Sequence, residues 1–429
     1  MTARGALRRL LALATALALL WLPALAQAAP GPASAPEWWF DSWRVPGLWA
    51  AGADGHGITI AVIDTGVQAS LPELRGKVLP GADFTGNGSD GRIDYDGDDF
   101  AHGTAMASIM VAGRGLGGIE GLAPAARILP VTVPLRGVVE HGVPARDATA
   151  RAIDYAVTHG ARIVSMSLGG VREESEDGPD PCPAAVQQAV LRALRKGVLV
   201  VAASGNSGDA SSPVEEPGVC LGVVSVGAVD RSLTVASFSS RHPYLTVSAP
   251  GTDIPSLSRD AAYVADGTSQ ATALTSAALA LLWSAYPAES SRQILSRLLR
   301  TAVDRGPAGR DPAYGYGVID PHAAYAAPVP SRTVANPVLD GAQPLLASDG
   351  GTAPALLPAA GNAHPVLGSY RVRRVAGADW LAVGGPAGLA LLLVAVAGWL
   401  VVRGRRSGRH QAAGHGHQGG YEESRAGDA

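Results

Sequence analysis

Five short stretches of the chain are apolar almost without interruption: GITIAVID (57–64), ARILPVTV (126–133), ARIVSMSL (161–168), GVLVVAAS (197–204) and GVVSVGAV (222–229). A strand with one wet face alternates apolar and polar residues. A strand that is apolar throughout has both faces covered. Between these runs lie helix-spaced segments, ARDATARAIDYAVTHG (145–160) and PAAVQQAVLRALRKG (183–197), each ending in Gly. The alternation predicts an α/β domain: a doubly wound, mainly parallel sheet with helices on both faces. Ligands of such a sheet bind at the carboxyl ends of its strands.

The ends of the chain suggest its compartment. Residues 1–28 read as a signal peptide: Arg4, Arg8 and Arg9 precede the apolar run Leu10 to Leu22, and Ala26-Gln27-Ala28 fits small-x-small cleavage. Residues 381–402 carry no charge, enough for a transmembrane helix across ~30 Å of hydrocarbon. Arg403, Arg405, Arg406 and Arg409 follow, which puts residues 403–429 in the cytoplasm and the rest of the exported chain outside. Outside the cell, the only two cysteines, Cys182 and Cys220, are expected to form a disulfide. Between the terminal segments the chain divides into a short N-terminal extension (29–45), the α/β domain (46–326) and a Pro/Gly/Ala-rich extended linker (327–378). A net charge of −3 gives no basic surface for nucleic acid. The tail GRHQAAGHGHQGG (408–420) is read as a disordered segment rather than a metal site.

Four polar residues sit where such a domain would place a site. Asp64 ends the first apolar run, His102 opens the small-residue helix pattern HGTAMASIMVAG, Asn206 follows the fourth run, and Ser269 stands before the Ala- and Leu-rich run 271–282. Alone, each has an ordinary reading: a turn Asp, a helix-start His, a turn Asn, a helix cap. Together they supply an acid, a base, an oxyanion donor and a nucleophile.

The blocks that hold them, AVIDTGV, HGT, SMSLGG, AASGNSG and GTSQA, resemble those of the subtilases, in the same order, and YGYGVIDPHAAYA (314–326) resembles the segment that closes that domain. The resemblance covers roughly 46–326. It implies a serine endopeptidase without cofactor or metal, in which Ser269 attacks, His102 moves the proton, Asp64 orients the imidazole and Asn206 binds the oxyanion. It also implies an extended peptide substrate lying along Ser167, Leu168 and Gly169, with Ala203, Ser204 and Gly205 lining the pocket for the residue before the scissile bond. Gly142 and Val143 would form the opposite edge. Glu215 or Glu216, in VEEPG, falls near the pocket floor and would favour a substrate Arg or Lys.

Three features depart from the common pattern. Ala273 stands where subtilases usually have Pro. Arg114 and Gly115 occupy the stretch where some relatives bind calcium, and the acidic run SDGRIDYDGDD (89–99) is expected to be a solvated loop. The short lead leaves no room for a folding prodomain. That layout resembles the mycosins, the membrane-anchored subtilases of type VII secretion systems. Protein or peptide substrates, the membrane and secretion components are the partners this implies. A structural subunit of a secretion complex and a general degradative surface protease are the alternatives.

Overall fold

The computed structural model of the chain describes residues 37–97, 100–115, 118–135, 145–171, 182–210, 212–259, 261–347 and 371–374. The signal-peptide reading, the 381–402 span, the tail, Gly142 and Val143 lie outside the described residues.

All five apolar runs are strands of one sheet: β1 (Thr59–Asp64), β3 (Arg127–Thr132), β4 (Ile163–Met166), β6 (Leu199–Ala203) and β8 (Val223–Val229). With β2 (Ala82–Asp83) and β9 (Val247–Pro250) they form seven strands in the order β2-β3-β1-β4-β6-β8-β9, all parallel. The burial explains the continuous apolarity. Along β1, Ile60 and Val62 enter the core on one face while Ala61 and Ile63 enter the core on the other. Helices α3 (His102–Val111), α6 (Thr268–Ala285) and α7 (Ser291–Thr301) contribute to the first core; α4 (Ala145–Thr158) and α5 (Ala184–Arg195) contribute to the second. Helix α6 is buried from Thr268 to Ser284, as its lack of a polar face requires. Ala273 lies fully buried within it, and the helix runs through this position unbroken.

The strand order reverses at β1: the chain adds β2 and β3 on one side, then β4, β6, β8 and β9 on the other. A crevice opens at the carboxyl ends of strands flanking such a switch point. The register pairs Val62 with Ser165, and Met166 with Ala202, so the carboxyl ends of β1, β4 and β6 lie on one edge.

Two segments outside the alternating pattern are also folded. The lead folds onto the domain as α1 (Trp38–Ser42) and α2 (Val45–Ala50), burying Trp39, Trp43 and Leu48 in the first core. Trp49 Nε1 donates to the Leu122 carbonyl, tying the lead to the body. The linker is not extended where it is described. Residues 337–347 form α9 (Pro337–Gly341) and α10 (Gln343–Ala347), after α8 (Pro321–Ala326). Asn336 caps α9, and Arg292 holds Asp340 at 2.6 Å. Further on, β12 (Arg371–Arg374) pairs antiparallel with β11 (Ala262–Asp266), itself paired with β10 (Ile254–Leu257). Pro- and Gly-rich composition hides such short, capped elements. Among the described residues no helix is long and apolar enough to cross a membrane.

Candidate active site

Asp64 is the last residue of β1 and is fully buried. Its Oδ1 accepts from the Thr65 amide at 2.8 Å and meets His102 Nδ1 at 2.8 Å. His102 is the first residue of α3, also fully buried. Gly103 makes the approach possible. A Cβ there would fall 2.1 Å from the Gly66 carbonyl oxygen and 3.2 Å from Asp64 Cβ. Burial works against the imidazolium of His102. Asp64 beside it, with Asp96 and Asp94 behind, outweighs that and raises its proton affinity above the ordinary value.

Ser269 is the second residue of α6, where backbone N–H groups lack partners within the helix. Two reciprocal hydrogen bonds clamp it to the end of β4: Ser269 Oγ donates to the Ser167 carbonyl and Ser167 Oγ donates to the Ser269 carbonyl, each at 2.9 Å. Asn206 lies in the turn after β6. Its Oδ1 accepts from the Thr268 amide at 2.9 Å and from Thr268 Oγ1 at 2.8 Å. Those donors fix which end of the amide is oxygen, so Nδ2 remains to donate elsewhere.

Ser167, Leu168 and Gly169 follow β4, and Ala203, Ser204 and Gly205 close β6 and open its turn. Glu215 joins the two groups. It lies in β7 (Glu215–Glu216), antiparallel to β5 (Gly170–Val171). Its Oε2 sits 2.4 Å from where a Cβ on Gly169 would be, and its Oε1 sits 2.0 Å from the same point on Gly205. Only glycines leave space for the carboxyl, and Gly205 also holds φ +110°. Glu215 is 3% exposed. Among the described residues nothing donates to its carboxyl, and burial pushes it up to about 7. Its own amide donates to Tyr244 Oη at 3.1 Å, and Tyr244 stacks on His242.

The acidic run is solvated only in part: Arg92 and Ile93 are exposed, whereas Asp94 and Asp96 are buried, 3% and 7% exposed. They accept from the first turn of α3 rather than facing water. Sequence reading missed them because dense charge imitates a wet surface. Their position just before the His102 helix was the available signal. Among the described residues no group of His, Cys, Asp and Glu is arranged to hold a metal ion.

Cys182 and Cys220 are joined in a disulfide across a separation of 38 residues that includes Asn206 and Glu215. Replacing both with Ser is expected to cost about 2–4 kcal/mol, mainly by freeing the unfolded chain. Denaturant unfolding of the variant checks this; equal midpoints would refute it.

A carboxylate–imidazole pair and a helix-start serine on the carboxyl edge of one doubly wound sheet define a class, the serine hydrolases of α/β fold. The subtilase family model, peptidase family S8, matches residues 55–317, and the chain belongs to that family of serine peptidases. It is 35% identical over 300 residues to the minor extracellular protease Epr of Bacillus subtilis, covering 68% of this chain and 43% of Epr. It thus spans less than half of that relative's length. Subtilisin DY of Bacillus licheniformis is 34% identical over 278 residues, covering 64% of this chain and 93% of its own. Among solved structures, the MycP3 protease from the type VII (ESX-3) secretion system superposes with TM-score 0.58 at 29% identity, covering 70% of this chain and 90% of its own.

Proposed function

We propose that this chain is a membrane-anchored extracellular endopeptidase of mycosin type, with Ser269 as nucleophile, His102 as general base and acid, and Asp64 as the group that orients the imidazole. The buried 2.8 Å contact between Asp64 Oδ1 and His102 Nδ1 is the observation that carries this reading. Attack requires Ser269 Oγ to leave the Ser167 carbonyl and pass its proton to His102 Nε2 as it bonds to the substrate carbonyl carbon. The new oxyanion is met by Asn206 Nδ2 and the Ser269 amide. His102 then protonates the leaving amine, and water repeats the sequence on the acyl-enzyme.

The substrate lies extended along Ser167, Leu168 and Gly169. Its residue before the scissile bond enters between Ala203–Gly205 and Gly169, where the buried Glu215 carboxyl selects Arg or Lys. A disulfide beside the pocket suits an oxidising compartment. Residues 1–28 direct export, and residues 381–402 anchor the chain with its tail inside. Likeness to the MycP3 protease supports a place in type VII secretion, acting on exported proteins.

A membrane-impermeant fluorophosphonate applied to intact cells tests chemistry and topology together. Full-length wild-type chain is expected to label without cell lysis, and Ser269→Ala is expected not to. Labelling only after lysis would overturn the orientation. No labelling of a folded wild-type chain would turn the reading toward a structural subunit of a secretion complex.

A further inference from the structure

The helix that carries His102 has no cap of its own. Its N-cap position is Ala101, held at φ 50°, with no side-chain cap. The first three amide N–H groups are taken by side chains from outside the helix. His102 N donates to Asp96 Oδ2 at 2.9 Å, Gly103 N to Thr65 Oγ1 at 2.9 Å, and Thr104 N to Asp94 Oδ2 at 2.8 Å.

Asp94 links these contacts. Its Oδ1 accepts from Thr65 Oγ1 at 2.8 Å and from Asp96 N at 3.0 Å. Its Oδ2 accepts from Thr104 N at 2.8 Å and from Thr104 Oγ1 at 2.6 Å. Both amides can only donate, and they reach different oxygens, so the site suits a carboxylate. Arg259 secures the loop from the other side, donating to the Asp94 carbonyl at 2.9 Å and to the Asp96 carbonyl. Its guanidinium stands 3.9 Å from Asp94 Oδ1.

Thr65 follows Asp64, and Thr104 lies two residues after His102. One buried side chain therefore spans the end of β1 and the start of α3, the elements that bring carboxylate and imidazole together. We propose that Asp94 is a positioning residue of the catalytic site, fixing the His102 helix against the Asp64 strand and adding negative charge behind the imidazolium. It touches neither substrate nor the reacting atoms. The acidic groups raising the proton affinity of His102 are Asp64, Asp96 and Asp94, and burial opposes them. This inference rests on the reading of Asp64 and His102 as a catalytic pair.

Asp94→Asn in the full-length enzyme is the test, because it keeps the size and puts an amide NH₂ against one of two backbone donors. Loss of positioning is expected to lower kcat about 10–100-fold, since displacement on the order of 1 Å costs about 10²-fold. KM is expected to stay within about twofold, because ground-state contacts are untouched. The acid limb of the kcat profile is expected to move to lower pH, since His102 loses one of its negative neighbours. A merely structural Asp94 would lower the melting temperature and leave kcat and the acid limb in place, and that result overturns the proposal. If Asp94→Asn does not fold, Thr104→Val decides, because it removes the hydroxyl that donates to Asp94, along with its acceptance from the Gln68 amide, and leaves the Asp94 carboxylate in place. A lower kcat with unchanged KM supports the proposal, and unchanged kcat overturns it. Ser269→Ala separates the two readings: activity surviving that change refutes the catalytic assignment, whereas activity lost there but intact in Asp94→Asn refutes only the positioning role.

Discussion

Glu215→Gln is expected to lower kcat/KM about 10²–10³-fold for peptides with Arg or Lys before the scissile bond, and to leave peptides with Leu or Met there nearly unchanged. The estimate follows from removing one partner of a buried charge pair, typically 2–5 kcal/mol. The wild-type preference should also depend on pH. With the carboxyl pushed up to about 7, the pocket is anionic above that pH and neutral below it. Selectivity for basic residues should thus grow as pH rises through 7 and stay flat in the variant. Stability should move the other way. A carboxyl raised from 4.5 to about 7 favours the protonated form in the fold. Its contribution is fully present below pH 4.5 and is lost as pH rises through 7. At about 1.36 kcal/mol per pH unit, the empty pocket carries a cost on the order of 3 kcal/mol at pH 8. Glu215→Gln removes that cost, so its melting point should exceed wild type at pH 8 and match it at pH 4. A gain in stability with a loss of selectivity marks a side chain retained for binding. Equal hydrolysis of basic and apolar substrates by the wild-type enzyme would refute this reading of the pocket.

The parallel sheet was legible because burial on both faces leaves no room for polar residues. β1, β3, β4, β6 and β8 all announce themselves as apolar runs. β2 and β7 do not, because two-residue elements have no periodicity. Of the candidate site, the motif blocks place Asp64 and Asn206 after apolar runs, and His102 and Ser269 at helix starts. The environment of charged residues was not legible. Asp94 and Asp96 read as a wet loop because their partners are backbone amides of α3, and an amide has no signature in sequence. The sequence alone does not say which of Glu215 and Glu216 faces the pocket. Glu215 is buried because β7 pairs with β5 and directs its carboxyl between Gly169 and Gly205, 46 and 10 positions away. The packing of the lead and the short helices of the linker were not legible for a related reason. Trp39, Trp43 and Leu48 bury as single anchors without a repeat, and α9 forms around one capping Asn.

Asp64→Asn is expected to reduce kcat about 10⁴-fold with little change in KM, the loss such a substitution produces in serine-protease triads. Two effects act together here. Asp64 Oδ1 accepts from the Thr65 amide as well as contacting His102 Nδ1, so an asparagine has one oxygen for both. If that oxygen stays, its NH₂ is buried at Oδ2, which has no hydrogen-bond partner among the described residues. If the amide flips, its NH₂ faces Nδ1 and forces the imidazole into the tautomer that cannot accept the Ser269 proton. In either state the charge opposing burial is lost. His102 lies in a dry site where desolvation disfavours the imidazolium, and Asp64 is the largest influence against it. Without that charge, the acid limb of any residual activity should fall to lower pH, further than in Asp94→Asn. The cost is expected in kcat because, above the acid limb, the imidazolium forms along the reaction path, whereas the proposed peptide contacts at Ser167–Gly169 and Glu215 are left untouched. Steady-state kinetics on one basic peptide, with active sites counted by fluorophosphonate titration, measures both changes. A loss below tenfold in Asp64→Asn would mean the 2.8 Å contact does not carry the chemistry. A loss in Asp94→Asn as large as in Asp64→Asn would mean that the helix start, rather than the charge beside the ring, limits the rate.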